Sequence, residues 1–93
     1  MKNTKEPLSF APIRTVAELG ALIRQYRKGH HLTLESVSGI SQLSMRFLSE
    51  LERGKETAEL GKALKTIQLL GLEVIIQPRG YHDASHRGDD DVS

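Results

Sequence analysis

Residues 33–54 constrain the fold more than any other part of the chain, because they contain two helical patterns that are each too short to be stable alone. The first pattern follows Thr33 and the second follows Ser44, and both residues are good N-caps. Isolated helices shorter than about 12 residues are marginal in water, so packing must hold this pair in place. Residues that can face inward are Leu34, Val37 and Ile40 or Ser41 in the first, and Phe47, Leu48 and Leu51 in the second.

A longer amphipathic helix is predicted on the N-terminal side of this pair. Apolar residues recur at helical spacing over residues 16–28, Thr15 is a good N-cap, and Glu18 completes a capping box with it. Gly29 is expected to end this helix. Residues 1–14 show no periodicity and are expected to form a flexible arm.

The C-terminal part of the sequence changes from a helical period to a period of two. Thr57 is expected to cap a fourth helix, whose apolar residues repeat at intervals of three and four until Gly71. The alternation over residues 72–77 predicts one strand, which Pro78 ends. A lone strand leaves backbone groups unpaired, so we expect it to pair with the same strand of a second chain in a homodimer. The dimer-strand residues are Leu72, Val74, Ile75 and Ile76.

Composition suits one small domain with a mainly all-α fold of four to five helices plus the strand. The 93 residues include no Cys, which excludes disulfides and cysteine-ligated zinc. Residues 1–78 carry 11 Lys/Arg against 8 Asp/Glu, whereas residues 79–93 carry 2 against 4. We therefore expect a basic folded domain over residues 15–79, with the dimerisation strand at its end, and a disordered tail over residues 80–93. No segment resembles a signal peptide or a membrane span, so a cytoplasmic, nucleoid-associated protein is expected.

The spacing of the two short helices is that of a helix-turn-helix motif. With Leu34 as position one, the contact positions four, five, ten, fifteen and eighteen fall on Val37, Ser38, Leu43, Leu48 and Leu51. This register puts Gln42 in the turn, where glycine is usual because the backbone needs a positive φ. An alternative register uses residues 39–41 as the turn, but it places Glu35 at the close-packed fifth position and leaves hardly one turn of helix before it. The first register is preferred.

With these residues in place, the sequence resembles the phage-repressor-like (XRE/Cro type) helix-turn-helix family, and residues 46–55 (RFLSELERGK) are similar to its recognition-helix signature. Within that family the run LGLE at residues 70–73, followed by apolar residues, resembles antitoxins of the HipB type. The resemblance covers roughly residues 17–79. It implies an ion pair between Glu52 and Arg27 that locks the recognition helix to the first helix.

In this register the third helix presents a polar face that suits base edges in the major groove. Arg46 matches guanine O6 and N7, Ser44 and Ser49 match a base edge or phosphate, and Met45 matches a thymine methyl group. Glu50 is a weaker candidate, which would accept from cytosine N4 or orient an arginine. Predicted phosphate contacts are Arg53 and Lys55, with Lys2, Lys5 and Arg14 of the arm as further candidates.

The sequence therefore predicts a repressor that binds double-stranded operator DNA and is not an enzyme. The resemblance further implies the antitoxin of a HipA/HipB-like toxin–antitoxin operon, with a kinase-like toxin as partner. The alternative is a protein–protein interaction adaptor with no specific DNA target, which the lack of a large apolar surface patch disfavours. No cofactor is predicted, because the chain has no glycine-rich phosphate loop. His30, His31, His82 and His86 have poor spacing for a metal site.

Overall fold

The computed structural model describes residues 12–79, and within this range the chain forms four α-helices. They are α1 (Val16–Gly29), α2 (Leu34–Ser41), α3 (Met45–Glu52) and α4 (Leu60–Leu69). The expected mainly helical fold is confirmed for this part of the chain. Most of the predicted arm over residues 1–14 and all of the predicted tail over residues 80–93 lie outside the described residues.

Side-chain caps fix the beginnings of the first three helices. Thr15, Thr33 and Ser44 each accept a hydrogen bond from the backbone N–H three residues later, at 2.9–3.0 Å. The predicted capping box differs in one detail, because the Glu18 carboxylate accepts from the backbone N–H of Arg14, at 2.6 Å, instead of that of Thr15. The cap residues therefore define the helix starts that the sequence predicts.

α1 ends at Gly29, the residue expected to end it, and the left-handed residue lies two positions later. Gly29 is the last helical residue, and His31 takes the left-handed conformation with φ of 60°. The N–H of His31 donates to Lys28 O and that of Leu32 donates to Arg27 O, which is a Schellman motif. The same motif, with Gly54 and Gly71 at positive φ, closes α3 and α4.

The predicted start of α4 at Thr57 is wrong. The N-cap is Glu59, which makes no side-chain capping bond, and residues 53–57 form turns before it. The Ala58 N–H donates to Lys55 O in this connection, so the backbone near Thr57 follows a turn instead of a helix. Leu60, the first residue of the apolar repeat, lies in the first turn of the shorter helix and is 69% exposed.

The core lies between the helix pair α2–α3 and the two helices that flank it. It is aliphatic, as composition predicts, and α3 contributes Leu48 and Leu51 with only 2% and 1% of their surface exposed. Of the two candidates at the end of α2, Ser41 faces inward, since it is 1% exposed whereas Ile40 is 66% exposed. The buried apolar residues are Ile23, Val37, Leu43, Leu48, Leu51, Ala63, Ile67 and Leu70.

The chain after α4 forms no strand within the described residues. Leu72 packs against the core, and its N–H donates to Ile67 O at 3.0 Å as part of the α4 cap. Beyond it Val74, Ile75 and Ile76 are 53%, 74% and 92% exposed. The strand and its pairing with a second chain stay predictions. None of the helices described over residues 12–79 is long and apolar enough to cross a membrane.

Candidate nucleic-acid interface

The turn between α2 and α3 adopts the register in which Gln42 replaces glycine. Gln42 has φ of 65° and ψ of 20°, a left-handed conformation, and its N–H donates to Ser38 O at 2.8 Å. Two serine side chains hold the next residue: the Ser38 hydroxyl donates to Leu43 O at 2.7 Å, and the Leu43 N–H donates to Ser41 Oγ at 3.0 Å. The side-chain bonds offset part of the strain of a non-glycine residue at positive φ.

The first turn of α3 carries the most exposed of the predicted base-reading residues. Arg46 has 85% of its side chain exposed, and Met45 is 47% exposed. Ser44 is exposed, and its hydroxyl oxygen accepts from the Phe47 N–H at 2.9 Å, which leaves the hydroxyl hydrogen available to a ligand. Base edges are read mainly by the N-terminal residues of a recognition helix, and this is where the structure places these three side chains.

Glu50 joins two predicted DNA-contacting cations on the surface of α3. Its carboxylate accepts from Arg46 Nε at 3.2 Å and from Lys55 Nζ at 3.0 Å. Hydrogen bonds from Lys55 and then from Arg46 hold the pKa of Glu50 below its ordinary value. Of the two roles predicted for Glu50, the geometry matches the orienting of an arginine. Arg46 keeps both terminal nitrogens without a partner among the described residues.

Ser49 and Arg53 lie one turn apart and contact each other at the C-terminal half of α3. Arg53 Nη1 donates to Ser49 Oγ at 2.6 Å, so the Ser49 oxygen accepts a bond while its hydroxyl hydrogen stays available. Ser49 is half-buried, whereas Arg53 is exposed. Ser49 therefore lies about one turn further from the exposed N-terminal end of α3 than Arg46 does. Its contact with Arg53 restricts access to the Ser49 side chain.

A buried ion pair connects the end of α3 to α1. Arg27 Nε lies 2.7 Å from Glu52 Oε2, and Arg27 Nη2 lies 3.0 Å from Glu52 Oε1. The remaining nitrogen, Nη1, donates to the Leu32 carbonyl at 2.6 Å, so the guanidinium also holds the chain between α1 and α2. The two side chains are 9% and 6% exposed. The hydrogen bonds to Glu52 raise the pKa of Arg27, against the opposing effect of burial.

Two glycines, Gly20 and Gly54, allow α1 to approach α3 this closely, a role that the sequence did not predict for either of them. A Cβ on Gly20 would clash with Leu51 O and would lie 2.7 Å from Glu52 O. Gly54 has φ of 89°, and a Cβ there would lie 2.7 Å from the Cα of Ala17. The only sequence signal for this contact is a glycine inside the amphipathic pattern of α1, a position where alanine would favour the helix.

The remaining predicted residues lie apart from this face or outside the described range. Arg14 is exposed next to the α1 cap, whereas Lys2 and Lys5 are outside the described residues. The ring of His30 lies 4.6 Å from that of Tyr26, centroid to centroid. His82 and His86 also lie outside, and residues 12–79 contain no cluster of three or more potential metal ligands.

Comparison with known proteins gives a curated relative and a solved structure of similar fold, whereas no protein-family model matches. An uncharacterized HTH-type transcriptional regulator of Sinorhizobium fredii, y4mF, is 40% identical over 68 residues, which cover 73% of this chain and 90% of that protein. A solved structure titled "MDT Protein" superimposes with a TM-score of 0.71 over 75% of this chain and 99% of its own. Its sequence is 17% identical, so this likeness shows the fold alone.

Proposed function

Because the chain belongs to the helix-turn-helix family of transcriptional regulators, which are not enzymes, we propose that it represses transcription as a homodimer that inserts α3 into the major groove. The exposure of Arg46 at the N-terminal end of α3 carries this proposal. The helix that bears it is fixed from both ends, by the Gln42 turn and by the Arg27–Glu52 ion pair. A rigid support of this kind keeps the reading side chains in register with the bases.

Arg46 is the main base-reading residue in this proposal. Glu50 holds its Nε and leaves the two terminal nitrogens for guanine O6 and N7. Met45 contacts a thymine methyl group, and the Ser44 hydroxyl donates to a base edge or phosphate next to the helix N-terminus. Ser49 and Glu50 contribute at the same surface, Ser49 through its hydroxyl hydrogen while its oxygen accepts from Arg53. An arginine that is held in place loses less entropy on binding, and this raises the affinity.

Phosphate contacts are assigned to the positively charged residues at the end of α3. Arg53 and Lys55 are both exposed and flank the left-handed Gly54. Lys55 keeps two further ammonium donors besides the one directed at Glu50, and one lysine donor can contact a phosphate while another stays with the carboxylate. These contacts set affinity and orientation, whereas the first turn of α3 sets sequence preference.

The dimer is proposed to form through residues 72–76 of two chains. Val74, Ile75 and Ile76 are consecutive exposed apolar residues, an arrangement that pairing with a second copy would cover. Leu72 anchors the segment to the core through its packing and its bond to Ile67 O. A two-fold dimer places two α3 helices one DNA turn apart, about 34 Å, so the operator is expected to be palindromic.

We further propose that the repressor is the antitoxin of a HipA/HipB-like operon and binds a kinase-like toxin. This step rests on the resemblance of residues 70–76 to HipB-type antitoxins. Its test is co-expression with the product of the adjacent gene, followed by purification through a tag on that product. A stoichiometric complex with a kinase-like protein supports the antitoxin role, whereas an unrelated neighbour that forms no complex removes it and leaves the repressor role standing.

The repressor role is tested by selection of duplexes from a randomised pool with the wild-type protein. We expect a palindromic consensus with half-sites about 10 base pairs apart, centre to centre. Arg46→Ala should weaken binding by about 1 to 3 kcal/mol and relax the preference at one base pair per half-site. Lys55→Ala should weaken binding to all DNA sequences alike. The control is Lys65→Ala, which removes an exposed lysine of α4. A pool without consensus would reject sequence-specific repression.

A further inference from the structure

An open depression lies between α1 and the C-terminal end of α3, on the side of α3 that carries Ser49. It is distinct from the N-terminal end of α3, which carries Ser44, Met45 and Arg46. Residues from α1, from the start of α2 and from α3 and its C-cap form its walls. The lining residues are Arg24, Arg27, Leu34, Ser49, Glu52 and Arg53.

The walls of this depression carry an excess of positive charge. Glu52 is its only carboxylate, and both of its oxygens are occupied by Arg27. Arg24 and Arg53 are therefore not neutralised within the depression. Arg24 is exposed and makes no ion pair or side-chain hydrogen bond with the residues that the structure describes. Arg53 donates one nitrogen to Ser49 and keeps its other donors.

Two guanidinium groups with free donors, beside a neutral ion pair, suit an anion with several oxygens, such as a phosphate. The planar fork of an arginine matches two phosphate oxygens, and a second arginine can take the remaining charge. The depression is open, as a site for a backbone phosphate of a long duplex must be. It also adjoins Ser49 on the helix that is proposed to enter the groove.

We infer that Arg24 and Arg53 together bind one backbone phosphate of the operator, at the edge of the groove that α3 enters. This inference rests on the proposed function and adds a residue of α1, Arg24, to the DNA-contacting surface. Arg27 also neutralises Glu52, the only carboxylate that lines the depression. The ion pair that fixes α3 therefore also prevents this carboxylate from repelling the phosphate.

The test is phosphate-ethylation interference on a duplex selected by the wild-type protein, combined with affinity measurements over a range of salt concentrations. In Arg24→Gln one phosphate per half-site should disappear from the interference pattern, and the salt slope should fall by about one. The affinity should fall about tenfold, since bonds to charged groups contribute about 1.5 kcal/mol or more. Arg24→Lys should restore part of the affinity. Lys65→Gln, with the same loss of charge on α4, should keep the wild-type pattern.

The outcomes separate this inference from the proposed function. A wild-type protein that selects no duplex contradicts both. If the wild type binds its selected duplex and Arg24→Gln has the same interference pattern and salt slope, the phosphate site is wrong and the repressor stands. A uniform loss of all phosphate contacts with a lowered melting temperature would also overturn it, because Arg24 would then have a structural role.

Discussion

The last residue of α3, Glu52, is bound at both carboxylate oxygens by Arg27 of α1, at 2.7 and 3.0 Å. The pair is almost fully buried, and the third donor of Arg27 holds the Leu32 carbonyl. One guanidinium therefore connects α1, the loop that leads to α2, and the helix proposed to read DNA. The position of α3 depends on this connection as well as on apolar packing.

Removal of one partner of this pair should destabilise the fold strongly. Glu52→Ala leaves a buried guanidinium without its carboxylate, a change that typically costs about 3 to 5 kcal/mol. Urea unfolding at fixed protein concentration measures it, and Glu56→Ala, at an exposed acidic residue in a turn, is the control. A loss below about 1 kcal/mol for Glu52→Ala would show that the pair does not hold α3.

Gly20→Ala should be destabilising although alanine favours helices. The added Cβ would lie 2.7 Å from Glu52 O, which is backbone and can move only if α1 and α3 separate. Overpacking of this kind costs about 1 to 3 kcal/mol. Gly39→Ala in α2 is the matched control, since a Cβ there meets nothing within 4 Å, and we expect it to raise the melting temperature. Equal effects at the two glycines would reject the close approach.

Gln42→Gly should stabilise the protein. Gln42 has φ of 65°, a conformation that costs a non-glycine residue about 1 kcal/mol, and glycine relieves that strain. The greater freedom of glycine in the unfolded chain offsets part of the gain, so the expected increase is about 0.5 kcal/mol. The same substitution at Gln25, an exposed helical residue of α1, should lower stability by about 1 kcal/mol. In thermal unfolding, the melting temperature should therefore rise in Gln42→Gly and fall in Gln25→Gly.

The pKa of Glu50 should rise when its cationic partners are removed. Lys55 contributes the largest lowering of this pKa and Arg46 the next, so Lys55→Ala should raise it more than Arg46→Ala does. A carboxyl with a depressed pKa adds stability above its unfolded pKa of about 4.3, and that contribution is lost as the pH falls through the lower folded value. Carbon-detected NMR titration of the carboxyl gives each pKa. An unchanged value in Lys55→Ala would contradict the ion pair.

The helix starts could be predicted where a side chain caps the helix. Thr15, Thr33 and Ser44 cap α1, α2 and α3 as predicted. Thr57 has the same chemistry, but the C-terminal cap of α3 and the turn that follows it occupy this part of the chain. The start of α4 is therefore set by the tertiary path of the connection, and local propensity does not encode it.

The candidate interface could be predicted in its composition but not in its internal contacts. The register of the motif placed Ser44, Met45 and Arg46 at the N-terminal end of α3, because the cap residue decides where the helix begins. The hydrogen bonds from Arg46 and Lys55 to Glu50 and from Arg53 to Ser49 depend on side-chain rotamers, which spacing does not give. The proposed phosphate contact of Arg24 could not be predicted, because it depends on how α1 packs against α3.

The most direct test of the account is the ratio of two dissociation constants for the wild-type protein. Fluorescence anisotropy measures the affinity for the selected palindromic duplex and for a scrambled duplex of equal length and composition, at several salt concentrations. We expect the selected duplex to bind at least about 10³-fold more tightly, with a steep loss of affinity as salt rises. Equal affinities for the two duplexes would contradict the conclusion that α3 reads a DNA sequence.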